Sequence, residues 1–265
     1  MPTMSLAVES QQATTSEPAR QEALTAIPLR KIAAKHRENI RQVLDGSTLY
    51  RRLPTLMVDC NPHLFSFLTQ NPEVLVAMWR QLGITKVDLE RTGPTTFRLS
   101  DGSGTTGRLE IVEQTCDDNA QNRIVMYAEG TYEGRPFKRP LRAQCVLLLR
   151  SGSVHETNGR PYVAARLDSF VRLDRASLQL FAKLVQPWVG KTADRNFSDT
   201  LQFISNLSQT AETRPASVER LVTSLPRISS VRQDELVQIA YQCGTSGEKE
   251  TQRALSHERL ARFSE

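Results

Sequence analysis

The run Val189-Gly190-Lys191-Thr192 carries residue types that can hold a phosphate, because a Gly-Lys-Thr places backbone amides and an ammonium around phosphate oxygens. A phosphate loop needs a further glycine where this chain has Val185, and it should follow a strand, whereas helical spacing precedes Val189. The run Asp101-Gly102-Ser103-Gly104-Thr105-Thr106-Gly107 is glycine-rich but lies between two strand patterns, so it reads as a hairpin turn. The four histidines, His36, His63, His155 and His257, fall in four separate segments, and none stands one helical turn from another histidine. The four cysteines, Cys60, Cys116, Cys145 and Cys243, form no metal or redox spacing and read mostly as buried thiols. No serine sits in a Gly-x-Ser-x-Gly elbow. No catalytic residue, metal site or cofactor is therefore expected.

The remaining polar candidates lie near the end of the middle third and just after it. Lys191, Asp194, Arg195 and Asn196 cluster, and Arg166 and Asp168, two residues apart on an expected strand, share one face. Were that face turned toward the helix that follows, Arg166, Asp168, Lys191 and Asp194 would form a polar site beneath it. The alternative is an ion-pair network tying the helix to the sheet. Phe181, Trp188 and Phe197 either line a ligand cavity under that helix or pack as core. Residues 135–172 hold Arg135, Lys138, Arg139, Arg142, Arg150, Arg160, Arg166 and Arg172 against only Glu156 and Asp168. That stretch is an anion-facing patch or a solvated sheet face.

These side chains must be positioned by the elements around them. Residues 1–26 are rich in Ser, Thr, Gln, Glu and Ala and are expected to be a disordered leader. Leu29, Ile32, Ile40, Val43 and Leu44 give an amphipathic helix over 27–46 that stops at Gly46. A strand around Leu53–Cys60 leads into a short helix with Leu64, Phe65 and Leu68. Asn71-Pro72-Glu73 then starts a second, with Asn71 as the cap and Gly83 as the stop. After Gly83 the apolar period falls from about 3.6 to about 2, which predicts antiparallel strands over 84–91, 95–100, 106–114, 123–132, 139–150 and 161–173. Helical spacing returns from Ala176 through Leu178, Phe181, Val185 and Trp188, then Phe197, Leu201, Ile204 and Leu207, with a kink or break expected at Pro187 and Gly190. Residues 214–265 read as a partly helical polar tail.

The fold class is thus α+β: an antiparallel sheet of six or seven strands with a long C-terminal helix and helical extensions. Over about 48–213 the order of elements resembles the START-like, or helix-grip, superfamily of polyketide cyclases and lipid-transfer domains. The resemblance rests on the Asn71-Pro72-Glu73 helix start, the passage Leu82-Gly83-Ile84-Thr85-Lys86-Val87 from helix into strand, and the closing helix from Ala176. It implies a curved sheet gripping the helix, with an elongated apolar cavity between them. The function it implies is non-enzymatic binding of a hydrophobic small molecule or lipid. An interaction module for a protein or anionic surface, using the basic face 135–172, is the alternative, and a cyclase-like enzyme using Asp168, Asp194 or Arg166 is a third. The net charge of +5 is spread along the chain and aromatics make up 6%, so specific nucleic-acid binding is not expected. No apolar run reaches the ~18 residues of a membrane span, and the first thirty residues lack a signal-peptide pattern, so a cytoplasmic location is expected.

Overall fold

A computed structural model describes residues 12–116, 121–135, 139–156, 160–174, 177 and 186–245. Two helices open the described chain, α1 over Glu17–Ala26 and α2 over Ala34–Asp45. Strands β1 (Leu49–Arg52) and β2 (Leu56–Val58) follow, then helices α3 (Pro62–Gln70) and α4 (Pro72–Gln81). Six longer or central strands come next: β3 (Asp88–Arg91), β4 (Thr96–Ser100), β5 (Thr105–Thr115), β6 (Asn122–Tyr132), β7 (Leu141–His155) and β8 (Pro161–Leu173). Helices α5 (Gln186–Thr213), α6 (Pro215–Thr223) and α7 over 230–245 close it.

The class is α+β, as the change of period at Gly83 predicts. All eight strands form one open antiparallel sheet in the order β1-β8-β7-β6-β5-β4-β3, with β2 also on β8 beyond β1. Each neighbouring pair from β3 to β8 is a hairpin-type connection between consecutive strands, so the sheet follows the chain. The glycine-rich run 101–104 is the β4–β5 turn: Asp101 accepts from the amides of Ser103 and Thr105 through one oxygen, and Gly102 and Gly104 have positive φ.

Both faces of the sheet are covered, and alternation along the central strands shows it. On β6, Ile124 and Met126 join one core, whereas Val125 and Tyr127 join the other. The first core is shared with α3, α4, α5, α6 and α7 through residues such as Phe65, Met78, Ile204, Val218 and Leu236. The second lies under α1 and α2, where Ala23, Ile32, Ile40 and Val43 pack on Val146, Leu148 and Phe170. This corrects two expectations. Residues 17–26 are not a disordered leader: Pro18 and Glu17 suit a helix first turn, and Ala19 and Ala23, one turn apart, bury against the sheet. The amphipathic helix expected over 27–46 begins later, at Ala34, after a turn in which Ile27 and Ile32 are buried. The tail likewise joins the main core, with Val218, Val222, Leu236, Ala240 and Cys243 buried.

Helix caps show where local rules hold and where they yield. Asn61 caps α3 by accepting from the amides of His63 and Leu64. Asn71 does not cap α4: its amide nitrogen donates to the Phe67 carbonyl and its oxygen accepts from Arg91 and Arg232. Two guanidiniums outbid one backbone amide for that oxygen. Helix α5 runs unbroken from Gln186 through Pro187 and Gly190, so the break expected there does not occur within it, and the chain from 178 to 185 lies outside the described residues.

Candidate functional site

Strand β8 turns Arg166, Asp168, Phe170 and Arg172 to one face and Val163, Ala165 and Leu167 to the other. Because Phe170 packs under α1 and α2, Arg166 and Asp168 also face those helices, with the sheet between them and α5. The expected polar site beneath the C-terminal helix is thereby divided. Asp194, on α5, is bound instead by Arg51 of β1, whose Nε donates to Oδ1 at 2.8 Å. Lys191 is exposed on α5. Phe197 is buried among Leu201, Ile204 and Leu207 and serves as core. Phe181 and the side chain of Trp188 lie outside the described residues.

On the α1 side, Asp168 is fully buried and accepts three hydrogen bonds. Tyr50 Oη and Arg52 Nε donate to its Oδ1 at 2.8 and 2.7 Å, and Arg150 Nη2 donates to Oδ2 at 2.9 Å. Strand register dictates this convergence, since Arg52 on β1 pairs directly with Asp168, and Tyr50 with Phe170. The same register sets Arg150 of β7 directly opposite Arg166 of β8, two like charges that repel in a bare sheet. Helix α1 supplies the relief. Glu22 Oε1 accepts from Arg150 Nη1 at 2.6 Å and Arg166 Nη2 at 3.0 Å, and Oε2 meets Arg52 Nη1 at 2.5 Å.

Three guanidiniums therefore share two carboxylates. Burial would raise the Glu22 carboxyl, but the bonds and charges of Arg150, Arg166 and Arg52 outweigh it and hold it down at about 2. Burial and the charges of Arg150 and Arg52 in turn push the Arg166 guanidinium below its ordinary range. Burial, reinforced by Asp168, keeps the Tyr50 phenol protonated. Among the described residues, Arg150 Nε is buried without an acceptor. The cluster thus holds surplus positive charge and one unused donor.

Beyond Arg150 and Arg166 the same sheet face continues to residues that are partly open among the described residues. One further side-chain step along the strands, ~7 Å, brings Gly152 opposite Ala164, with Met57 on the other side of Ala164, and then Val154 opposite Tyr162. Met57 and Val154 are each 43% exposed. An arginine cluster thus borders a partly open apolar strip.

Of the residues singled out from sequence, Arg166 and Asp168 belong to this site, and Arg150 belongs to it through the basic stretch. Tyr50, Arg52 and Glu22 were not anticipated. The spacing Pro18, Ala19, Ala23, Ile27 is the signal that would have placed Glu22 on a helix. The basic stretch 135–172 does not form one face: Arg135, Arg139 and Arg142 are exposed, Arg150, Arg166 and Arg172 turn toward α1 and α2, and Arg160 forks onto Asp59 at 2.8 Å on the other side, while Lys138 lies outside the described residues. Among the described residues, no group of three or more His, Cys, Asp and Glu is placed to hold a metal ion, and no helix is long and apolar enough to cross a membrane.

No family model and no curated protein matches the chain. Among solved structures, a conserved protein from Geobacillus kaustophilus is similar over 59% of this chain and 93% of its own, at 13% identity and a TM-score of 0.37. A likeness at that level carries no argument about fold or function.

Proposed function

We propose that the protein is a non-enzymatic binding module of START-like layout that takes an amphipathic anion, a carboxylate with an apolar body, on the sheet face beside α1. The observation that carries this reading is the adjacency of three guanidiniums, Arg52, Arg150 and Arg166, to the partly open strip Met57, Gly152, Ala164 and Val154. Glu22 then occupies the position of the ligand's acid group. Helix α1 fully buries two alanines, Ala19 and Ala23, and packs Leu24 and Ala26 only in part, so a modest apolar area opposes its displacement. The apolar body lies along Met57 and Val154, and Arg150 and Arg166 supply a charge-assisted fork for the carboxylate. This reading moves the ligand from beneath the C-terminal helix to the opposite face of the sheet. It also joins the hydrophobic-ligand and basic-face alternatives in one site. Asp168 is no general base in it, because three donors already occupy its oxygens.

The test is native mass spectrometry with laurate as the probe, on the full chain and on Arg166→Ala. A stoichiometric adduct that weakens with added salt and is lost in Arg166→Ala supports the reading. No adduct, or one indifferent to Arg166, overturns it.

A further inference from the structure

The connection between α6 and α7 folds back against α4 and β3 and leaves a pocket of about 240 Å3 between them. Its walls are apolar, formed by Val76, Ala77, Leu89 and Ile228. A cavity of ~150 Å3 takes benzene, so this one holds a branched chain of a few carbons with a head group at the mouth.

The charges around it are unequal. Arg91 gives its Nε to Glu73 at 2.7 Å and its other nitrogens to Glu73, to the Asn71 side chain and to the carbonyls of Gln70 and Pro94. Glu73 is buried, and that pair is closed on itself. On β3, Leu89 and Arg91 face α4, so Glu90 between them turns with its cross-strand partner Arg98 to the opposite face of the sheet. Asp88 is then the carboxylate left at the mouth, and two guanidiniums meet it, Arg80 at 2.7 Å and Arg227 at 2.9 Å. Arg227 spends a single nitrogen, Nη2, on both oxygens of Asp88, and among the described residues neither arginine has another side-chain partner. The mouth therefore carries one cation in excess and N–H donors without acceptors.

Arg227 is held at φ 63°. Left-handed backbone disfavours a residue with a Cβ, and such strain gathers at ligand clamps. Here it accompanies a guanidinium laid back onto Asp88 beside the pocket.

We infer that this pocket is a binding site for a short carboxylic acid with a branched apolar body, the carboxylate bridging Arg80 and Arg227 and the body lying among Val76, Leu89 and Ile228. A carboxylate there neutralises the surplus charge and accepts from the open donors, whereas an ammonium would meet two guanidiniums. The pocket lies on the α4 side of the sheet, opposite the arginine cluster beside α1, and stands whether or not that cluster binds an anion.

The experiment follows backbone amide shifts of residues 76–77, 88–90 and 227–228 by NMR during titration with isocaproate, its uncharged analogue isocaproamide, and isoamylamine. Saturable shifts with isocaproate at millimolar concentration are expected, with the amide and the amine weaker by about tenfold or more, since neither makes the charge-assisted bonds. Arg166→Ala, in the other cluster, should leave these shifts unchanged. Arg227→Gly should lose binding while its thermal midpoint holds, because glycine accepts this φ and an exposed ion pair contributes little. Ala77→Phe fills the pocket without touching a charge and should also lose binding. Shifts absent from these residues or confined to those beside α1, an amide or amine that binds as well as isocaproate, dependence on Arg166, or undiminished binding in Arg227→Gly or Ala77→Phe overturns the assignment.

Discussion

Glu22 and Asp168 are held by one guanidinium: Arg150 donates to Glu22 at 2.6 Å through Nη1 and to Asp168 at 2.9 Å through Nη2. One carboxylate is fully buried in the sheet and the other sits on a half-exposed helix, so the two ends of this bridge differ in strength. The buried end ties strands together, whereas the exposed end fastens a removable cover.

The buried end makes Asp168 the most sensitive position of the cluster. Asp168→Asn strands Arg52 and Arg150 and weakens the Tyr50 bond, and removing one partner of a buried charge pair costs ~3–5 kcal/mol. Urea denaturation should show a lowered midpoint with an unchanged slope. A loss below ~1 kcal/mol would falsify the view that this network holds β1 to β8.

Acid should release α1 before the sheet. The Glu22 carboxyl is held at about 2, below its unfolded value of ~4.3. A depressed carboxylate contributes stability that is complete above the unfolded value and is lost as pH falls through the folded one, here between ~4.3 and about 2. The side chain is 47% exposed, so solvent screening limits the contribution to ~0.5–1 kcal/mol. Hydrogen exchange over 17–26 should accelerate across that window in the native protein, and Glu22→Gln should show fast exchange at every pH.

The interface between α5 and the sheet offers a check on whether a ligand cavity lies under its described part. Ile204 is 1% exposed and packs with Val58, Phe65 and Val163 in the main core. In a filled core Ile204→Ala costs ~2–4 kcal/mol. A cost under ~1 kcal/mol would indicate empty space there and return weight to a site beneath the helix.

Two glycines of the β4–β5 turn separate conformational cost from collision. Gly102 has φ +66° with open space around an added Cβ, and Gly102→Ala should cost ~1 kcal/mol. At Gly104, with φ +115°, an added Cβ would lie 2.3 Å from the Glu133 carbonyl oxygen, which is backbone and has little room to move. Gly104→Ala should cost ~2–3 kcal/mol and loosen the contact in which Glu133 donates to the Gly104 carbonyl at 2.8 Å. Thermal melts of the two variants give the comparison directly.

The class of the fold and most of its elements were written in local patterns. The change of apolar period at Gly83, the turn residues between runs, and the stripe Phe197, Leu201, Ile204, Leu207 foretold the strands from β3 to β8 and helix α5. Those patterns are local because backbone hydrogen bonding and burial impose fixed repeats. Strand β1 escaped notice because its four residues, Leu49–Arg52, include two adjacent arginines. Helix α1 was hidden because its buried face is made of alanines, which carry little hydrophobic signal.

The sequence by itself determined that Arg166 and Asp168 share a face, since they lie two residues apart on a strand. Which face that is, only the tertiary structure decided. Period-2 alternation separates two sides of a sheet without saying what covers either, and here helices lie on both. The partners of Asp168 come from β1 and β7, and those of Arg166 from α1, elements brought together by strand register and helix docking. A charge cluster built from such long-range pairings has no spacing along the chain, so its excess of arginine emerges only once the sheet is assembled.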